Sequence, residues 1–244
     1  MWKLAVLSSL TILLAAPAKD AQMLQAIVGA QQAGGAVPGF ISSTCSWCSG
    51  YSGTTSPAIS TTGATLLIAT CGASSSGALA APSDSSSNSY HATFATAPNY
   101  PAGSAYGQFY VAYAPTTSGS MTWTTPGSET CGFSAWKNTL TTSSVVDTTV
   151  QASASYATAA TAQAGLVTPS QANELLIGMI FFGNISHTWT INDGFTEPTQ
   201  TQVFSPPVLF AYLVDSSTAA INPTWTIGSG SDTGLTVIAG YLHP

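Results

Sequence analysis

The sequence predicts an all-β fold: an antiparallel two-sheet sandwich of jelly-roll-like form, made from two similar halves of about four to five strands each. Three observations predict it. The apolar runs are short, rich in Thr, Val, Ile, Tyr, Phe and Trp, and they end at Gly, Pro, Asn or Ser. No segment carries a convincing helical period. Two stretches about 100 residues apart repeat the same order of strands, an offset too long for a solenoid repeat.

Taken in chain order, strands are expected at residues 40–44, 58–60, 65–71, 89–94, 108–114, 120–125, 129–136 and 145–152. A second set is expected at residues 175–182, 187–191, 208–214, 224–227 and 235–242. Residues 169–174 read as a short turn, and 152–164, poor in core-sized residues, as a surface loop. Leu66-Leu67-Ile68 opens the first half and Leu175-Leu176-Ile177 the second. Tyr110-Val111-Ala112-Tyr113 answers to Leu209-Phe210-Ala211-Tyr212, and Met121-Thr122-Trp123-Thr124 to Pro223-Thr224-Trp225-Thr226. The domain is placed at residues 40–244.

The chain before it reads as a signal peptide over residues 1–18 and a leader over 19–39. Lys3 supplies the positive start, 4–16 an apolar run, and Ala16-Pro17-Ala18 a small-residue cleavage site. The run is short for a membrane span, and no later stretch reaches the ~18 uninterrupted apolar residues that a span needs. A secreted or cell-surface location is therefore expected, with no membrane span after cleavage.

Charge narrows the partners. Of the 244 residues 45% are hydrophobic and only 5% charged, and three Lys+Arg stand against nine Asp+Glu. Nucleic acid is excluded, because phosphate backbones need a basic footprint. Solubility must come from Ser and Thr hydroxyls. Asn184-Ile185-Ser186 is an acceptor sequon, whereas Asn222-Pro223-Thr224 is blocked by its proline.

Four cysteines, Cys45, Cys48, Cys71 and Cys131, allow three pairings in an oxidising compartment. Cys71–Cys131 with Cys45–Cys48 is favoured. Closing the longer loop contributes roughly 4 kcal/mol and the shorter roughly 2 kcal/mol by the chain-entropy relation. Cys45-Ser46-Trp47-Cys48 lacks the βαβ context of a redox dithiol.

The ordered motifs carry a resemblance. Asp84-Ser85-Ser86-Ser87-Asn88-Ser89-Tyr90 forms a turn, followed by strands ending in Tyr113-Ala114. The second half holds Ala172-Asn173-Glu174-Leu175-Leu176-Ile177-Gly178, then Asp193-Gly194-Phe195-Thr196, and closes on Ile238-Ala239-Gly240-Tyr241-Leu242. Over residues 65–242 this resembles a group of exported, mostly uncharacterised bacterial Ser/Thr-rich β-sandwich domains, found alone or as modules of surface proteins. The resemblance implies a fold and brings no catalytic residues. Cys45 and Cys48 lie outside it.

Catalytic constellations are sparse. No Gly-x-Ser-x-Gly elbow exists, since Gly132-Phe133-Ser134-Ala135-Trp136 lacks the last glycine. No two carboxyl groups stand at i and i+2 on a strand to share a face. Asp193 and Glu197 flank a glycine turn and read as turn residues. His91 and His187 read as strand histidines rather than metal ligands. Asp84 and Asn88 are the candidate calcium ligands, with a side-chain-capped turn as the simpler account.

Aromatic residues point to binding. Trp123, Trp189 and Trp225 each stand in Thr-Trp-Thr, where alternation puts the indole on one face and both threonines on the other. Burying an indole is worth roughly 4–6 kcal/mol gross, which favours Trp inward. Trp47, Tyr51, Tyr100, Tyr106 and Trp136 are the candidates for a loop surface that stacks on sugar rings. The expected function is a non-enzymatic adhesion module that binds a glycan or cell-surface polymer and uses no cofactor beyond calcium. A self-associating structural subunit of an extracellular assembly or virion is the alternative, and a carbohydrate-active enzyme the third.

Overall fold

The computed structural model describes residues 36–46, 54–73, 79–100, 106–126, 129–183, 187–198 and 208–244. The signal, nearly all of the leader, Trp47, Cys48, Tyr51 and the 184–186 sequon lie outside the described residues. From Val37 onward the chain is one compact unit.

Its strands are β1 (Gly39–Cys45), β2 (Leu66–Ala73), β3 (Ser83–Asp84), β4 (His91–Ala92), β5 (Tyr106–Tyr113), β6 (Trp123–Thr124) and β7 (Thr130–Lys137) in the first half. The second half holds β8 (Val146–Ala159), β9 (Thr161–Gln163), β10 (Glu174–Phe182), β11 (Trp189–Ile191), β12 (Val208–Asp215), β13 (Thr224–Ile227) and β14 (Asp232–Tyr241). One 3-10 turn, Ser143–Val145, joins them. Residues 152–164, expected as a loop, are instead strand: β8 runs on through them and β9 follows. Their small side chains lack a core signature because β8 lies at a sheet margin and needs only one packed neighbour.

Two main sheets lie face to face. One has the order β1-β7-β2-β5-β4 and the other β12-β10-β14-β8, with every neighbour antiparallel. Leu66, Ile68, Phe109, Val111 and Trp136 of the first meet Leu175, Ile177, Met179, Phe210, Val237 and Tyr241 of the second in a shared core. Each main sheet is also covered on its outer face. On the first, β3 and β6 bring Trp123 and Met121 onto Leu67, Phe133 and Ala135, with Trp123 stacked on Phe133 at 5.0 Å and 12°. On the second, the small sheet β11-β13-β9 brings Trp189, Trp225 and Ala162 onto Leu176, Ile180, Phe182 and Ile238. This accounts for the unbroken burial of β2 and β10. A strand with a layer on both faces carries a continuous apolar run, not an alternating one.

The repeat expected from the sequence is an architectural duplication. In each half the first long strand sits between the second and the last (β7-β2-β5 and β14-β10-β12), and a further strand (β1 or β8) flanks the last. In each half the Trp strand lies in the outer layer. It is flanked by the segment before the first long strand (Thr55 opposite Thr124; β9 beside β13) and the segment after it (β3 beside β6; β11 beside β13). Register refines the match. Leu66 pairs with Trp136 and Leu175 with Tyr241; Ile68 pairs with Val111 and Ile177 with Tyr212. Tyr212 therefore corresponds to Val111 rather than Tyr113, a two-residue shift that leaves every side chain on its own face. The jelly-roll form is not confirmed: each main sheet draws its strands from one contiguous half of the chain.

Candidate functional site

Of the residues expected to form a glycan surface, Tyr100, Tyr106 and Trp136 are described, and Trp47 and Tyr51 lie outside the described residues. Tyr100 is half-buried against the shared core, and Tyr106 is half-buried against the first outer layer. Trp136 is not a loop residue. It is fully buried in β7, facing between the main sheets opposite Leu66, with its Nε1 donating to Ser134 Oγ at 2.9 Å. An indole at an inward position of a strand gains most by staying there. Trp123, Trp189 and Trp225 are buried as expected, and Thr124, Thr190 and Thr226 beside them are exposed.

Trp136 nonetheless anchors an aromatic group that does reach solvent. Phe40, its cross-strand partner on β1, is 37% exposed. Phe40 stacks on Tyr212 of β12 with centroids 5.3 Å apart and planes 12° apart. Trp136 sits edge-on to both, at 5.2 Å from Phe40 and 4.9 Å from Tyr212. Strands from both main sheets thus meet at one margin of the sandwich through a stacked pair on an indole base. The duplication supplies a comparison. Val146 pairs with Tyr241 as Phe40 pairs with Trp136, and Val111 holds the place of Tyr212. At the duplicate positions the opposite margin therefore carries Val146, Tyr241 and Val111, and no Phe–Tyr stack on an indole stands there among the described residues. Phe40 and Tyr212 lay in predicted strands, and only knowledge of which sheet margins meet could have joined them.

The calcium candidates form a turn. Asp84 Oδ1 accepts from the backbone N of Ser86 at 2.8 Å and of Asn88 at 3.3 Å. Asp84 Oδ2 accepts from Asn88 Nδ2 at 2.9 Å and Tyr90 Oη at 2.8 Å. Asn88 Oδ1 accepts from Thr116 N at 2.7 Å. The oxygens a cation would need are already engaged by donors, and Ser87 takes the left-handed conformation of the turn. Tyr90 Oη also accepts from Trp123 Nε1, which ties the turn to the outer layer. Burial, the Asp84 charge and its hydrogen bond all push the Tyr90 phenol up.

Cys71 and Cys131 are bonded across directly opposed positions of β2 and β7, closing a span of 60 residues. Cys45 is also disulfide-bonded, and Cys48, its expected partner, lies outside the described residues. The one cluster of three potential metal ligands among the described residues is Cys71, Glu129 and Cys131. Its sulfurs are in the disulfide, so it offers no thiolate. Glu129 Oε1 accepts from Ala80 N at 2.8 Å, and burial raises its pKa.

The other carboxylates serve separate local structures. Asp193 and Gly194 form an exposed turn with φ of 58° and 78°. Asp232 Oδ2 pairs with His187 Nδ1 at 3.0 Å, while its Oδ1 accepts from Thr233 N at 2.7 Å. His91 is far from such chemistry, stacked on Tyr113 at 5.0 Å. Among the described carboxylates, the Asp147 charge acts on Glu174. Glu174 is buried with Oε1 unpartnered and Oε2 accepting from Ser170 N at 2.8 Å. Asp147 is buried with Oδ2 unpartnered and Oδ1 accepting from Thr149 N and Oγ1 at 2.8 and 2.6 Å. Burial pushes Glu174 up to about 7, the Ser170 N–H opposes this, and the Asp147 charge adds to it. For Asp147 burial acts upward, but hydrogen bonds from Ser170 and Thr149 outweigh it and hold the carboxyl below its ordinary value. A protonated Glu174 is a donor as well as an acceptor, which relieves the crowding of acceptors in this buried place. Both carboxyls are beneath the surface, so neither is presented to a substrate.

Comparison of the chain with protein-family models, with curated proteins and with solved structures finds no match.

Proposed function

We propose that this chain is a non-enzymatic exported surface module that binds a glycan or similar polymer at the Phe40–Tyr212 margin. The observation that carries the reading is the half-exposed aromatic stack on a buried indole, present at one margin and replaced by Val146 and Val111 at its duplicate. A sugar ring offers a face of C–H groups that an aromatic plane covers, and Ser and Thr hydroxyls nearby supply uncharged hydrogen bonds. A rigid stack loses little conformational freedom when a ligand docks on it. The expectation of an exported chain with few charges is in keeping with this chemistry. Among the described residues no helix is long and apolar enough to cross a membrane.

The test is a glycan array probed with the full chain and with Phe40→Ala and Tyr212→Ala. Selective binding lost in both variants, with the thermal midpoint of each still well above the assay temperature, supports the reading. Binding retained in both places the ligand elsewhere. Trp136 touches both rings, so a bound sugar should also perturb its fluorescence.

A further inference from the structure

A β-sheet margin with free backbone N–H and C=O groups is a template for another strand, and chains blunt such margins with short strands, bulges, charge, proline or cover. Here three of the four main-sheet margins are blunted. β5 is flanked by β4, with Thr93 N donating to Phe109 O at 2.8 Å and Gly107 N to Pro98 O at 3.0 Å. β12 is bridged by Thr196, which exchanges two hydrogen bonds with Tyr212 at 2.8 and 2.9 Å. β1 is seven residues long, has a register shift between Phe40 and Ser42, and is tied to the 57–60 segment. The ties are Ser42 Oγ to Ser60 O at 2.5 Å and Thr44 Oγ1 to Pro57 O at 3.1 Å.

The fourth margin differs. β8, the duplicate of β1, runs 14 residues and among the described residues pairs on one side only, with β14. Between its two register shifts, residues 151–156 keep an unbroken match with 234–239. That run is Gln151-Ala152-Ser153-Ala154-Ser155-Tyr156, with no charge and no proline. Ser153 and Ser155 are exposed.

We infer that β8 is an interaction surface for a second copy of this chain, the two β8 strands pairing antiparallel across a twofold axis within residues 151–156. An antiparallel pair of identical strands is isologous, so the patch need only complement itself. Its centre, residues 152–155, does, because only small hydroxyl and methyl side chains meet there and no charge opposes another. Its free backbone groups find partners and two four-stranded sheets become one. The other three margins are blunted, so association closes at the dimer and does not grow into a fibre. This goes beyond the glycan reading and uses a different surface.

The test is sedimentation velocity of the full chain across a concentration series, beside the double variant Ser153→Lys/Ser155→Lys. Both positions are exposed, so the variant keeps its thermal midpoint, while lysines facing lysines oppose pairing. The expected result is a concentration-dependent dimer whose dissociation constant rises at least tenfold in the variant. Ser153→Cys should also form a disulfide-linked dimer on oxidation. A parent chain monomeric throughout, with Ser153→Cys uncrosslinked, overturns the inference. So does a dimer unaffected by the lysines, or a parent chain that forms open-ended oligomers. Glycan binding by a monomer would leave the functional proposal standing while this one fell.

Discussion

At single residues, the chain's few ionisable groups matter more through burial than through exposure. Glu174 holds its proton up to about pH 7 when folded, against about 4.3 for an unperturbed glutamate. Between those values the folded state binds a proton that the unfolded state has released. Stability is then full below the unfolded pKa and falls as pH rises through the folded one, by about 4 kcal/mol in all. Glu174→Gln should flatten urea-midpoint profiles between pH 5 and 8 and exceed the parent in stability at pH 8. A variant that keeps the parent's slope would show that Glu174 is not its source. Gly234 is a steric counterpart. A Cβ there would lie 1.9 Å from the Phe181 carbonyl oxygen and 2.6 Å from Tyr156 Oη. Gly234→Ala must push β14 off β10, and a loss of about 3 kcal/mol or more is expected in chemical denaturation.

At the scale of elements, the duplication provides internal controls. Cys71 and Cys131 occupy the places that Ile180 and Thr236 hold in the second half, each pair directly opposed. Cys71→Ile/Cys131→Thr therefore imports packing that the fold already uses and removes the cross-link alone. Calorimetry should record a loss of about 4 kcal/mol, the chain-entropy contribution of a loop this long. A loss below ~1 kcal/mol would mean that the denatured chain stays compact without it. The long strands were legible because β2, β5, β7, β10, β12 and β14 are apolar runs between turn residues. β3 and β9 were not: Ser83–Asp84 and Thr161–Gln163 carry no apolar alternation. They are strands because β6 and β13 offer them hydrogen bonds, a tertiary cause without a local signature.

At the scale of the whole molecule, neither half buries its own inner face. The shared core takes Leu66, Phe109 and Trp136 from one and Leu175, Phe210 and Tyr241 from the other. A fragment of residues 146–244 exposes that face, so it should lack a cooperative thermal transition as a monomer. Adding the complementary fragment should restore one. A sharp transition in either fragment alone would make the halves separate domains. The candidate site belongs to this scale too, since Phe40 and Tyr212 come from opposite halves and touch only because the sheets stack.

By itself the sequence determined the all-β class, the long strands, the twofold repeat, the inward indoles and the Asp84 turn. Each depends on composition, alternation or contacts a few residues apart. Only the tertiary structure decided that outer layers cover both sheets, that Trp136 is buried and that Phe40 lies on Tyr212. It also brought Asp147 against Glu174 and left β8, among the described residues, paired on one side only. These outcomes depend on which strands come together, and residues as far apart in sequence as Phe40 and Tyr212 carry no mark of meeting until the chain closes on itself.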